Sequence, residues 1–164
     1  MLRAIIMGVA GCGKTSVGLA LAPQLGAIYR DGDDFHPPEN IAKMSAGDPL
    51  NDADRAPWLD LVGHELASSE TPIIIGCSAL KRAYRDRIRA IAGDVVFIHL
   101  SGARLVIENR MAARSGHFMP VALLDSQFAA LEKLSADELG IVIDIDQPLA
   151  DVVTNGRDRI LALK

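Results

Sequence analysis

Only two cysteines, Cys12 and Cys77, occur in 164 residues, and they form no C-x-x-C pair. Neither a disulfide-stapled scaffold nor a cysteine-based metal site is expected, and a reducing, cytoplasmic setting is. Aromatic residues make up 4% of the chain, too few to interleave with basic residues as a single-stranded nucleic-acid platform requires. Positive charge is not in excess: 17 Lys and Arg face 21 Asp and Glu, a formal net charge of -4. Nothing global therefore draws the chain to nucleic acid or to an anionic membrane, and any anion site must be local. No apolar run reaches the roughly 18 residues of a membrane helix. The apolar start, Met1 to Ala10, has a faint look of a signal peptide but reads as a buried strand, because cleavage there would remove the most informative motif in the chain. The four histidines, His36, His64, His99 and His117, lack metal-ligand spacing, and His64 and His99 are expected to be structural.

What is present is 49% hydrophobic and 23% charged residues, the composition of one globular domain, expected to span residues 1–164. Short, continuously apolar runs at Ala4 to Met7, Ala27 to Tyr29, Pro72 to Ile75, Val95 to Leu100 and Ile141 to Ile145 read as parallel strands covered on both faces. Between them, helical spacing runs over Lys14 to Gln24, Leu80 to Ile91, Ala103 to Arg114, Val121 to Leu134 and Leu149 to Leu163. Asn51 and Asp52 suit the start of a helix through Trp58 and Leu66, although Pro57 supplies no N–H and argues for a later start. The alternation implies an α/β fold, a three-layer arrangement about a parallel sheet of about five strands. Two stretches, His36 to Asp54 and Arg114 to Pro120, fit neither pattern and read as inserted functional segments. Trp58 reads as a packing anchor rather than a stacking platform. The basic helix carrying Lys81, Arg82, Arg85 and Arg89 lacks interleaved aromatics and is not expected to bind nucleic acid.

Residues Gly8 to Thr15 read GVAGCGKT, matching G-x-x-x-x-G-K-[ST] between a predicted strand and a predicted helix. In such a loop, glycines let backbone N–H groups converge on phosphate oxygens and the helix dipole adds positive potential. Gly8, Gly11, Cys12, Gly13, Lys14, Thr15 and Ser16 are thus candidate nucleotide-binding residues, with Lys14 reaching the β- and γ-phosphates and the Thr15 hydroxyl meeting Mg²⁺. Cys12 reads as a small side chain that fits the loop rather than as a redox switch. A guanine-reading Asn-Lys-x-Asp segment does not occur, which argues against a GTPase switch.

Directly after the second predicted strand comes Asp31-Gly32-Asp33-Asp34-Phe35-His36, at the strand ends where open parallel sheets bind ligands. One carboxylate there can support Mg²⁺ and another can take a proton from an attacking hydroxyl. The third predicted strand ends Gly76-Cys77-Ser78 without an acid, so Asp31 would stand where a Walker B carboxylate stands in other P-loop proteins. Arg110 and Arg114, four apart on one helix face, are expected to close over the nucleotide as a lid of about residues 110–120, stabilising charge on the transferred phosphoryl group and excluding water.

These segments together are distinctive. The chain resembles the small, bacterial-type gluconokinases of the P-loop kinase superfamily, relatives of shikimate and adenylate kinases, along nearly its whole length. The likeness rests on the phosphate loop, on DGDDFHP from Asp31, NIAKM from Asn40, GDPLND from Gly47 with Asp54-Arg55 and Pro57-Trp58-Leu59, CSALK from Cys77, Arg114 with GHFM from Gly116, Ser126-Gln127-Phe128, and DIDQPL from Asp144. It implies ATP-dependent phosphorylation of the 6-hydroxyl of D-gluconate. It further implies an acceptor-binding segment at about 33–58, with Asp33 and His36 on hydroxyls, Lys43, Arg55 or Arg85 on the carboxylate, and Lys81 and His117 as further substrate contacts. Asp31 would support Mg²⁺, Asp33 would orient or deprotonate the hydroxyl, Asp34 would share either role, and Asp146 and Pro148 would lie beside adenine. A homodimer is implied by the family alone. Cys12 departs from the small residue such as Ser that many members carry. The alternatives are a kinase for another small polar acid or polyol such as shikimate, and a non-catalytic nucleotide-dependent binding module.

Overall fold

Five parallel strands in the order β2-β3-β1-β4-β5 form the centre of the protein, seen in a computed structural model that describes residues 1–113 and 121–163. The strands are β1 (Arg3–Met7), β2 (Ile28–Asp31), β3 (Ile73–Gly76), β4 (Val96–Ser101) and β5 (Gly140–Asp144). The helices among the described residues are α1 (Lys14–Gln24), α2 (Pro38–Ser45), α3 (Asp52–Ser68), α4 (Arg82–Ala92), α5 (Arg104–Ala112), α6 (Val121–Ala130) and α7 (Leu149–Leu161), with a 3-10 turn at Gly32–Phe35. This is the expected three-layer α/β arrangement, a parallel sheet with helices on both faces.

Strand alternation divides the core in two. Ala4, Ile6, Ile74, Ile98, Leu100, Ile141 and Ile143 point toward α1 and α7, whereas Ile5, Met7, Ile73, Ile75 and Phe97 point toward α3 and α4. Both faces are apolar, which explains the unbroken hydrophobic runs in the sequence. Because β2 lies two strands from β1, α1 crosses over β3 and carries the chain from one to the other. All five strands consequently end at one edge, where the loops after β1, β2 and β3 meet.

Three elements differ from the sequence expectation. The first is α3, which starts at its cap: Asn51 accepts from Asp54 N, and the Asp54 carboxylate accepts from Asn51 N. That reciprocal pair is enough to begin the helix at Asp52 and carry Pro57 inside it. Secondly, the segment His36 to Asp54 contains a helix, α2, because Pro38 occupies a first-turn position where its fixed φ favours a helix. Finally, α6 ends at Ala130, where Glu132 N turns to donate to Leu80 O at 2.7 Å.

His99 in β4 is 2% exposed and its Nδ1 has no hydrogen-bond partner. Burial first, then the charges of Arg85 and Lys133, lower its pKa to about 4 from 6.5. Stability from the neutral ring is therefore complete above the unfolded value and is lost as pH falls through the folded one. Denaturant titrations from pH 7 to 4 are expected to lose up to roughly 3 kcal/mol from this group, and His99→Leu is expected to flatten that limb.

Candidate functional site

The turn after β1 is held in a conformation that only glycine accepts easily. Gly8, Gly11 and Gly13 have φ of 148°, 80° and 95°, and a Cβ on Gly11 would stand 2.6 Å from Met111 Cγ. The loop therefore packs directly beneath α5. Lys14 Nζ donates to Gly8 O at 3.0 Å and Val9 O at 3.1 Å, bridging the loop. Gln127 of α6 accepts from Ala10 N at 2.6 Å. Gly13 caps α1 without a side chain, so the first N–H groups of that helix are free for an anion.

The acidic turn after β2 stands across from this loop. Asp31 pairs in register with Gly76 of β3 and accepts from Asp33 N at 2.9 Å, which closes the 3-10 turn. A cavity of about 180 Å³ lies between the two turns, lined by Lys14 and Thr15 on one side and Tyr29, Asp31 and Asp33 on the other, with Ser78 and Gln127 completing it. The expected phosphate-loop and acidic residues are thus brought together. Two lining residues carry no site role in the sequence reading: Tyr29 stands only in a predicted strand and Gln127 only in the Ser126-Gln127-Phe128 run, since neither belongs to a phosphate-binding pattern. The Asp33 carboxyl is raised from its ordinary value, first by partial desolvation where the turn meets the sheet and then by the Asp31 charge, opposed by His36 and Lys14, although the side chain itself is 82% exposed. Its oxygens remain open to the crevice.

Behind Asp33 the acceptor segment forms a second wall. The His36 ring stacks on Trp58 at 4.2 Å between centroids and 15° between planes, and Trp58 Nε1 donates to Gly32 O at 2.7 Å. Trp58 is therefore the expected packing anchor, and what it packs is His36, one of the candidate substrate-binding residues. Lys43 pairs with Asp54 at 2.6 Å. Arg55 and Lys81 both lie near Tyr84, at 5.7 Å and 5.6 Å from its ring centroid, while Tyr84 donates to Asp52 at 2.5 Å.

Arg85 is not brought to the crevice. It is 0% exposed, pairs with the equally buried Glu138 at 2.7 Å and donates to Ala79 O and Leu80 O. Its placement between α4 and the chain around Glu138 gives it a structural task in place of the expected carboxylate contact. The other α4 arginines are also engaged: Arg82 with Asp86 and Asp137, Arg87 with Asp60, and Arg89 with Asp86.

On the nucleotide side, Arg110 Nη2 donates to Ile145 O and to Gln147 O, and its guanidinium lies 4.0 Å from where a Gly13 Cβ would be. It bridges the phosphate loop and the turn holding Asp146 and Pro148. Asp146 N donates to Asp144 Oδ1 at 2.8 Å, and Pro148 caps α7. Thr15 and Ser16 are exposed at the start of α1, whereas Cys12 is buried, with its thiol pKa raised by that burial. Arg114, His117 and most of the expected lid lie outside the described residues.

The donor set suits a hard divalent cation. The Thr15 hydroxyl and the Asp31 carboxylate line one cavity and supply oxygen alone, the ligand type Mg²⁺ takes, usually with few protein ligands alongside phosphate oxygens and water. The arrangement can hold a polyphosphate on one wall and an acceptor hydroxyl on the other, with a carboxylate between them.

No protein-family model matches the chain. It is 48% identical over 165 residues to the thermosensitive gluconokinase of Escherichia coli K12, covering 98% of this chain and 88% of that protein. The crystal structure of a gluconokinase from Sinorhizobium meliloti 1021 superposes with a TM-score of 0.89 at 45% identity, covering 97% of this chain and 93% of that one. Shikimate kinase from Aquifex aeolicus shares the fold alone, with a TM-score of 0.63 at 16% identity over 99% and 96% of the two chains.

Removing one member of the Arg85–Glu138 pair leaves a buried charge uncompensated. Arg85→Met is expected to lower the unfolding free energy by about 3–5 kcal/mol, and Arg85→Met with Glu138→Leu to recover most of it. Urea unfolding followed by circular dichroism measures both, and a single variant as stable as the wild type would contradict the structural role.

Proposed function

The chain belongs to the gluconokinase family, and from that premise we propose how its own residues phosphorylate D-gluconate with ATP. The observation that carries the reading is the facing of Lys14 and Thr15 by Asp31 and Asp33 across one cavity. The loop from Gly8 to Ser16 receives the triphosphate, its backbone N–H groups and Lys14 offsetting the phosphate charge. The 6-hydroxyl of gluconate approaches from the Asp33 side. As its oxygen forms a bond to the γ-phosphorus, the bond from that phosphorus to the bridging oxygen of ADP breaks, and the hydroxyl proton passes to the Asp33 carboxylate. A carboxyl held above its ordinary pKa is a better proton acceptor.

Thr15 and Asp31 would hold Mg²⁺, which when bound screens the charge of the phosphate oxygens. Arg55 and Lys81, grouped about Tyr84, take the gluconate carboxylate, since Lys43 is committed to Asp54 and Arg85 to Glu138. His36 and Asp34 serve hydroxyls along the sugar acid, with His117 as a further contact. Asp146 and Pro148 flank adenine, with Arg110 and Arg114 on the phosphates during transfer. The two buried free cysteines accord with a cytoplasmic location, and a homodimer accords with the family resemblance. Among the described residues no helix is long and apolar enough to cross a membrane.

ADP release from purified protein with MgATP is expected with D-gluconate and not with shikimate, glucose or glycerate, and turnover with another acceptor alone would overturn the substrate. Lys14→Ala and Asp33→Asn are each expected to cut kcat by more than about 100-fold while the circular dichroism spectrum is unchanged. Near-normal turnover in either variant refutes the role given to that residue.

A further inference from the structure

Asp33 and His36 are both able to accept a proton, and both stand at the acceptor side of the crevice. Which of them does so depends on which His36 nitrogen carries hydrogen, and a buried neighbour decides that. Asn40, 5% exposed in the first turn of α2, places its Nδ2 at 2.9 Å from Asp54 O and 3.3 Å from His36 Nδ1. A peptide oxygen only accepts, so the group facing Asp54 O is the amide NH₂, and the orientation of the Asn40 side chain is settled. Its second hydrogen then faces His36 Nδ1, which must present a lone pair. In the neutral ring the proton consequently sits on Nε2.

That nitrogen faces Asp33, 3.8 Å from Oδ1. Trp58 keeps it there, because the imidazole is stacked on an indole that is itself pinned to Gly32 O, and the His36 side chain is only 5% exposed. The groups that face the ring are Asp33 from its own turn, Asn40 from α2, and Arg55 and Trp58 from α3. Of the charged ones, Asp33 favours a second ring proton and Arg55 opposes it. A second proton on Nδ1 would also point at the Asn40 N–H.

We propose that Asn40 is a positioning residue that holds His36 as the Nε2–H tautomer, so that His36 donates toward Asp33 and the acceptor hydroxyl and Asp33 alone of the pair accepts the proton. The role is the counterpart of a carboxylate orienting a catalytic imidazole, with the opposite polarity: an amide donor selects a donating ring where a carboxylate would select an accepting one. It rests on the assignment of Asp33 under the proposed function.

The test is long-range nitrogen–proton NMR on the full-length protein labelled with ¹⁵N-histidine, the His36 signals being assigned by their loss in His36→Gln. Wild type is expected to show a protonated Nε2 and an unprotonated Nδ1, and a protonated Nδ1 overturns the proposal without any variant having to fold. In Asn40→Asp the new carboxylate accepts from Nδ1, so Nδ1 becomes protonated. The kcat with gluconate is then expected to fall at least about tenfold, with the KM for ATP unchanged. Loss of the tautomer with kcat intact overturns the positioning role. The spectrum is recorded without gluconate, so it stands apart from the acceptor assay: failure of that assay strikes the functional reading, and failure of the spectrum strikes this inference.

Discussion

Everything in the site depends on how closely two backbones approach at Gly32 and Gly76. A Cβ on Gly32 would lie 2.4 Å from Gly76 O, and one on Gly76 would lie 2.3 Å from Tyr29 Oη. With no side chain at either position, the turn after β2 settles against the end of β3. The end of β3 is in turn tied to the phosphate loop by Cys77 N donating to Ile6 O and Gly8 N donating to Ser78 O. Asp31 and Asp33 therefore come to face Lys14 through two layers of main chain, with no reliance on long side chains. A parallel sheet makes this possible because all its strands end on one edge.

Around that frame the charged residues divide into two kinds. Arg85 and Glu138 are wholly buried and satisfied by each other and by backbone groups, so they hold the loop from Ala79 to Leu80 against the chain near Ser135. Arg55, Lys81 and Asp52 are partly open and joined through Tyr84. Buried pairs of the first kind fix geometry, since breaking one strands a charge in a dry interior. Groups of the second kind exchange partners at little cost and suit a ligand that arrives with its own carboxylate.

Much of this was legible in the residues. Unbroken apolar runs marked the strands because both sheet faces are covered, and α1 begins and ends where its spacing placed it. The phosphate loop and the acidic turn were readable because their chemistry is local. What escaped was set by tertiary contact. The stretch from His36 to Asp54 fitted neither a strand nor a helix pattern, yet Pro38 opens α2 within it. Pro57 suggested a delayed start, yet the Asn51–Asp54 capping box begins α3 ahead of it. Arg85 sits in the same charged stretch as Lys81, and nothing local distinguishes the cation that is buried from the one near the surface. Tyr29 and Gln127 reach the cavity through packing between elements far apart in sequence.

The central claim is that Asp33 and the phosphate loop hold the acceptor hydroxyl and the γ-phosphate in line between them. A crystal structure with D-gluconate and a non-hydrolysable ATP analogue tests it most directly. The account predicts the 6-hydroxyl within hydrogen-bond reach of an Asp33 carboxylate oxygen, opposite the bridging atom from the γ-phosphorus. A gluconate carboxylate or a different hydroxyl at that position, or a 6-hydroxyl turned away from Asp33, would contradict it.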